Sequence, residues 1–452
     1  MISPAAVRSF GRQARRFWRE EAALRRRLVN TGHLLTGNVF GSAIGLVAFV
    51  LTARALGPTD YGILALTLAY VRAVERLIAF QSWQPLIKYG AEVRGREHLN
   101  DYRALLKFGL LVDIGAAATA YLTAIGLALL FGPLVGISAQ NVDQVLIYAT
   151  VLLFQISGFP TAVMRLAGRF KLTAYGALIS SVLRLGFCAV GLITGQGLRY
   201  FVIVWTVTQI IGALTLLGLA FWEIRRQGVR RLLWAPLTGV TRRFKGLLSF
   251  TVGSNVELTL RSSANEFDTL LVGMLAGPAA AGLYHIAKRL GRLVLQLGVQ
   301  VQAVLYPDVA RLWADNAVNE FRRAVLQIEV MLAGIGVALV IATALVAQPV
   351  LAWTAGPSFA DAASLAVVQM LAVTMTLSGS AVRTALLAMG RQPSVLRVVS
   401  IATVAFHLTA FSTIPFIGAM GGNIAHVVMA LVWLVGLSMI YRTALPSQPA
   451  RV

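Results

Sequence analysis

Gly57-Pro58-Thr59-Asp60-Tyr61-Gly62 and Gly277-Pro278-Ala279-Ala280-Ala281-Gly282 share the spacing Gly-Pro-x-x-x-Gly, 220 residues apart. Each opens an apolar run of membrane-spanning length. The match extends outward in both directions. Gly132-Pro133 and Gly356-Pro357 each end an apolar run, 224 residues apart, while Gly168-Arg169 and Gly390-Arg391 stand 222 apart, as do Pro85 and Pro307. Four landmarks in one order at a nearly constant offset read as a duplicated half. The offset corresponds to six spans, which preserves orientation across the bilayer. The halves are therefore expected to be parallel repeats related by an axis along the membrane normal.

Composition agrees with a chain that lives in lipid. Of 452 residues, 57% are hydrophobic and 13% charged, against about 25% charged in a soluble domain. A water-soluble fold of this size has too little interior to hide so much apolar surface. The charges are clumped, leaving apolar stretches long enough to cross the hydrocarbon core as helices. The runs and their breakers predict about twelve spans, near 30–54, 62–87, 104–131, 142–164, 172–194, 199–222, 246–272, 279–304, 324–347, 361–389, 394–416 and 421–441. The chain is thus expected to be an all-α polytopic membrane protein with two parallel six-helix lobes.

Loop charge orients it. Connections after odd-numbered spans carry almost no Lys or Arg, Arg199 being the exception. Connections after even-numbered spans carry many, including Arg94, Arg96, Arg165, Arg169, Arg311, Arg322 and Arg391. This alternation places both termini in the cytoplasm. The expected organisation is a basic cytoplasmic segment 1–29, an N-lobe 30–223, a basic linker 224–245, a C-lobe 246–442 and a cytoplasmic tail 443–452. In the first segment, eight arginines accompany Phe10, Phe17, Trp18 and Leu24 at helical spacing, which fits a helix lying on anionic lipid. The linker, with Val229, Leu233, Leu237, Val240 and Phe244 near helical spacing around Pro236, reads as an interfacial strap.

The net charge of +22 does not point to nucleic acid, because the arginines sit between apolar spans and not on a soluble basic domain. The single cysteine, Cys188, can form no internal disulfide, and the five histidines lack metal-ligand spacing. No phosphate-binding Gly-rich loop is present. The loops facing away from the cytoplasm are short and offer little catalytic chemistry, so an enzyme is disfavoured. No cofactor is expected.

The informative charges lie at membrane depth, where ionisable groups are costly and line a polar cavity or pair with one another. Arg72, Glu75 and Arg76 share one face of the second span. Arg184 lies in the fifth span, and Glu257, Arg261 and Asp268 form a stripe in the seventh. Lys288, Arg289 and Arg292 lie in the eighth, and Arg383 in the tenth. Eight cations (Arg72, Arg76, Arg184, Arg261, Lys288, Arg289, Arg292, Arg383) face four acids (Glu75, Glu257, Glu266, Asp268). Pairing cannot neutralise this set, so a water-filled cationic cavity accepting an anionic group is expected. Arginine suits phosphate because its planar fork binds two oxygens and stays protonated. Under the 220-residue offset Arg72 maps onto Arg292, so the two should face each other across the axis.

The stretches Leu51–Gly62, Gln81–Glu92, Arg165–Phe170 and Asp268–Tyr284 resemble those of bacterial polysaccharide and O-antigen flippases of the multidrug/oligosaccharidyl-lipid/polysaccharide (MOP) superfamily. The resemblance implies a MATE/MOP-like fold and alternating-access transport of an undecaprenyl-diphosphate-linked oligosaccharide to the periplasmic leaflet for surface polysaccharide biosynthesis. It implies that cavity arginines hold the diphosphate and sugar, a role suited to Arg72, Arg76, Arg184, Arg261, Arg292 and Arg383. A polymerase or ligase of the pathway would be a partner. Coupling to H+ or Na+ would need an intramembrane acid, for which Glu257, Asp268 and Glu75 are the candidates. Two relatives are alternatives. A multidrug cation exporter favours an acidic cavity and often carries an acid in its first span, which this chain lacks. A lipid II flippase usually has two further helices, for which no apolar runs remain.

Overall fold

The structure, a computed structural model, describes residues 4–78, 82–93, 99–132, 137–249, 251 and 267–445. The described elements are helical. They are α1 (Pro4–Ile78), α2 (Trp83–Val93), α3 (Leu99–Phe131), α4 (Val142–Ala149), α5 (Val151–Phe154), α6 (Gly158–Leu166), α7 (Phe170–Ile193) and α8 (Leu198–Arg226). After these come α9 (Val240–Arg243), α10 (Asp268–Ala314), α11 (Val318–Thr354), α12 (Ala362–Ala388), α13 (Gln392–Ile417) and α14 (Ala419–Ala444). Ten stretches of described residues are long and apolar enough to cross a membrane. The first of them contains a break at Gly57, and most of the expected span 246–272 lies outside the described residues. Leu130, Leu345 and Phe416 point outward and are exposed, which lipid tolerates because its tails are as apolar as they are.

The repeated motif is a helix-to-helix corner. Gly57 has φ 71°, ψ 175° inside α1, and Gly277 has φ 85°, ψ 172° inside α10. Glycine alone adopts this region readily. The prolines that follow hold the preceding ψ extended and start the next helix with their fixed φ. A second pair of landmarks shares one local geometry. Gly168 (φ 69°) and Gly390 (φ 73°) end α6 and α12 in the left-handed region. Arg169 N donates to Met164 O and Gly168 N to Arg165 O; Arg391 N donates to Leu386 O and Gly390 N to Leu387 O. Both are the same glycine-terminated helix cap.

Two expected spans are interrupted. The run 62–87 is broken at the turn residue Ser82, with 79–81 outside the described residues, and 142–164 splits at Gln155–Ser157. Ser82-Trp83-Gln84-Pro85 and Ser157-Gly158-Phe159-Pro160 follow one pattern: serine at the helix start and proline at the third helical position. Proline there cannot donate to an upstream carbonyl, so continuation from the preceding helix is lost.

Helices α1 to α8 pack mainly among themselves, α10 to α14 likewise, and α1 crosses α10 to join the halves. The crossing is a backbone contact. A Cβ on Gly62 would lie 1.8 Å from Pro278 O, and one on Gly282 would lie 2.4 Å from Pro58 O. Small residues at such a point let helices approach as membrane packing requires. One hydrophobic cluster runs through both halves, with Phe49, Tyr61 and Leu64 against Tyr284, Ile286 and Phe359. Arg54 Nη1 donates to Trp353 O at 2.7 Å across the same end of the seam.

The linker is not a continuous helix. It forms a 3₁₀ turn at Leu232–Trp234 and the short α9, with Val229, Leu232, Val240 and Phe244 buried against the first half. Arg103 donates to Arg231 O at 2.8 Å and Lys107 to Ala235 O at 2.9 Å. Leu233 and Leu237, expected on the apolar face, are exposed. Pro236 and the left-handed Arg231 and Gly239 break the helical spacing on which that expectation rested.

Candidate functional site

Four side chains from four helices stack through the middle of the molecule. The Arg184 guanidinium (α7) lies over the Trp205 ring (α8) at 4.3 Å. Trp205 faces Phe49 (α1) with ring centroids 4.1 Å apart. Arg289 (α10) also covers Phe49, at 3.9 Å. The stack passes from one half to the other and is held by cation–π attraction in a desolvated setting. Arg184 also donates from Nε to Thr208 Oγ1 at 2.9 Å and from Nη2 to Gln209 Oε1 at 3.0 Å. Among the described residues neither Arg184 nor Arg289 has a carboxylate partner. Arg289 Nε and Trp205 Nε1 are buried and without a hydrogen-bond acceptor among the described residues.

Further cations converge there. Arg72, Arg184 and Arg292 all act electrostatically on Arg289. Arg72, Lys288, Arg289 and Arg292 act on His285, and Arg72, Arg184 and Arg289 act on Tyr148 together with Glu75. Arg72 and Arg292, at equal distances beyond their glycine corners, thus reach the same groups. Like charges gathered in a poorly solvated space raise one another's energy. An anion placed among them relieves that repulsion.

Other expected residues are placed differently. Lys288 is buried and ion-paired to Asp268. Asp268, fully buried, also accepts from Tyr284 OH at 2.9 Å and Thr269 N at 2.6 Å, and lies 2.9 Å from His426 Nε2. Its oxygens are therefore filled by protein groups of α10 and α14. Arg76, one turn beyond Arg72, and Arg383 on α12 are half-buried. Glu257, Arg261 and Glu266 lie outside the described residues, as do the side chains of segment 1–29 and the tail beyond Leu445.

Several residues escaped the sequence reading. Asp113 of α3, buried at 3% exposure, accepts from Ser82 N at 3.1 Å and Phe159 N at 2.6 Å. One carboxylate thus caps both interrupted helices, meeting the orphan N–H groups and positive dipole ends. An acid in the middle of an apolar run was the available signal. Trp205, Phe49, Tyr148 and His426 carried no such signal, because aromatic residues and lone histidines are common in apolar helices.

Beside the stack runs an apolar cavity of about 600 Å³. It lies between α1, α10 and α11, lined by Leu46, Val50, Leu290, Leu293, Val346 and Val350, with Arg54 at its rim. Leu290 and Leu293 each follow a cluster arginine, so one helix presents cations on one side and apolar groups on the other.

Residues 51–364 match the family described as polysaccharide biosynthesis protein. The inner membrane protein YghQ of Escherichia coli (strain K12) is 26% identical over 348 residues, 77% of this chain and 98% of that protein. Among solved structures, the lipid II flippase MurJ in an inward closed conformation superposes with TM-score 0.68 at 12% identity, covering 90% of this chain and 87% of that one. An inward-facing multidrug resistance MATE family transporter of the MOP superfamily gives 0.67 at 14% identity, covering 90% and 96%. With its repeated glycine corners, its many apolar spans and this match over most of its length, the chain is a multi-pass membrane protein of MOP-type fold and belongs to the polysaccharide biosynthesis protein family.

Proposed function

We propose that this protein is a flippase. It moves an undecaprenyl-diphosphate-linked oligosaccharide from the cytoplasmic to the periplasmic leaflet of the bacterial inner membrane. The observation that carries this reading is Arg289: half-buried, without a carboxylate partner among the described residues, its Nε buried and unpartnered among them, and acted on electrostatically by Arg72, Arg184 and Arg292. A diphosphate supplies both the negative charge and the acceptor that Arg289 lacks among the described residues. The flanking apolar cavity takes the first part of the polyprenyl chain, so head and tail are read side by side. The family and the lipid-handling relative support a lipid-linked substrate.

In this reading the segments 30–223 and 246–442 are the lobes, the linker and both termini are cytoplasmic, and segment 1–29 binds anionic lipid. The seam is closed where Gly62 meets Gly282. Substrate enters from the opposite end, its diphosphate settles on the arginines, and the lobes then rock about the α1–α10 crossing to release it outward. Arg76, Arg383, Lys288 and Arg261 extend the cationic lining. Coupling to H+ or Na+ is assigned to Asp268, Glu75 or Glu257, and a polymerase or ligase of the pathway receives the product.

The test is equilibrium binding to purified protein in nanodiscs, with undecaprenyl diphosphate and undecaprenol as probes. The diphosphate is expected to bind and the alcohol to bind weakly. Arg289→Ala, and Arg72→Ala with Arg292→Ala, should each weaken the diphosphate by about 10–100-fold, the scale of charge-assisted hydrogen bonds. Unchanged affinity in these variants, or preference for an organic cation such as ethidium, would sink the reading. In cells, deletion should cause loss of surface polysaccharide and accumulation of its lipid-linked precursor.

A further inference from the structure

A second, smaller cavity of about 170 Å³ lies wholly within the first half. It is bounded by the interrupted stretch Gln155–Ser157, by Ala177 and Ser180 of α7, and by Gln209, Gly212, Ala213 and Leu216 of α8. It adjoins the cationic cluster directly, because Gln209 lines it and also accepts from Arg184 Nη2 at 3.0 Å. Irregular backbone at membrane depth occurs where it is buried in protein or lines a cavity. Here Asp113 holds the interruption open by capping the helix that restarts at Gly158.

The polar groups facing this cavity are mixed. Gln155 Oε1 is buried with no hydrogen-bond partner among the described residues, so it offers an acceptor. Gln209 spends its carbonyl oxygen on Arg184, and its amide N–H groups donate to no described residue. Ser180 Oγ donates to Ala177 O at 3.0 Å, leaving its lone pairs to accept. An anion would need donors only and a metal cation acceptors only. A hydroxyl group both donates and accepts, and it fits this set. The volume corresponds to roughly five or six water molecules, enough for one pyranose ring.

We propose that this cavity is a sugar subsite: it receives the saccharide nearest the diphosphate while Arg184 holds the phosphate. The proposal rests on the flippase reading and deepens it by separating head-group recognition into a phosphate part and a hydroxyl part. Gln155 and Gln209 are then specificity-determining residues. Retained substrates would be distinguished by the hydroxyl pattern of their first sugar.

The experiment compares binding of undecaprenyl diphosphate with that of undecaprenyl diphosphate carrying one glucose, galactose or N-acetylglucosamine, using the full chain in nanodiscs. The unsubstituted protein should prefer at least one sugar-bearing lipid by about three- to tenfold, the scale of one or two neutral hydrogen bonds. Gln155→Leu should abolish that preference and leave affinity for the bare diphosphate within about twofold. Ala213→Leu, which fills the cavity without touching its polar groups, should do the same and carries the test if Gln155→Leu fails to fold. Preference that survives both substitutions, or equal weakening of bare and sugar-bearing lipids, would overturn the proposal. Equal binding of all lipids by the unsubstituted protein would overturn the subsite and leave the flippase reading standing. No binding of any diphosphate lipid would overturn both.

Discussion

The Tyr61 hydroxyl and His285 Nδ1 lie 2.9 Å apart, one from each half of the molecule. Both side chains are buried, with Phe49 packed against each ring. The bond sits between the Gly62–Gly282 contact and the arginine cluster, one helical turn from Arg289. It therefore ties the closed end of the seam to the site beneath it.

Removing that tie should favour opening of the closed end. Tyr61→Phe deletes one buried hydrogen bond, worth about 1 kcal/mol, which shifts an open-to-closed ratio about fivefold. Spin labels at Thr59 and Ala279, both exposed beside their glycine corners, should show a larger long-distance population in the variant. An unchanged distance distribution would mean that the bond does not contribute to closure.

The glycine crossing should be less forgiving. Gly62→Ala places a methyl group 1.8 Å from Pro278 O, an overlap that only movement of α1 against α10 can relieve. The closed end should separate in the same spin-label measurement, and thermal stability should fall by about 1–3 kcal/mol. Gly45→Ala is the control, since a Cβ there meets nothing within 4 Å.

Asp113 should matter for stability more than for binding. Asp113→Ala leaves Ser82 N and Phe159 N without their acceptor, costing about 1–3 kcal/mol. The expected result is a lower melting temperature in detergent with retained affinity for undecaprenyl diphosphate. Retained melting temperature would show that water or another group caps these helices equally well.

The Asp268 group can be separated into structural and transport roles by a double-mutant cycle. Asp268→Ala removes the carboxylate paired with the buried Lys288 and should cost about 3–5 kcal/mol. Lys288→Met in the same chain should restore much of that loss, because the pair is then replaced by apolar groups. If stability returns but ion-dependent transport does not, Asp268 carries coupling as well as packing. If both return, it is a structural pair.

Much of this architecture was legible in the chain itself. The Gly-Pro-x-x-x-Gly repeat, the helix-ending Gly168 and Gly390, and the apolar runs are local signals, because glycine's conformational freedom and helix length act on short stretches. The excess of intramembrane arginine was equally visible, and its consequence, a cationic cluster formed by Arg72, Arg184, Arg289 and Arg292, follows once the repeat brings the two corners together. The interruptions at Ser82 and Ser157 were encoded in their prolines but depend on Asp113, which lies at another place in the sequence.

Partnership was decided only by tertiary structure. Lys288 and Arg289 are neighbours on one helix, yet one turns to Asp268 and the other lies on the Phe49 ring across the seam. Composition and periodicity assign both to a charged face; successive residues on a helix diverge by about 100°, and what waits in each direction is set by α1 and α14. The sequence determined that the molecule spans the membrane as a duplicated, arginine-rich bundle. Which arginines remain without a carboxylate, and so can receive an anion, was decided by the packing of distant helices, because burial and pairing are properties of surroundings that no single stretch contains.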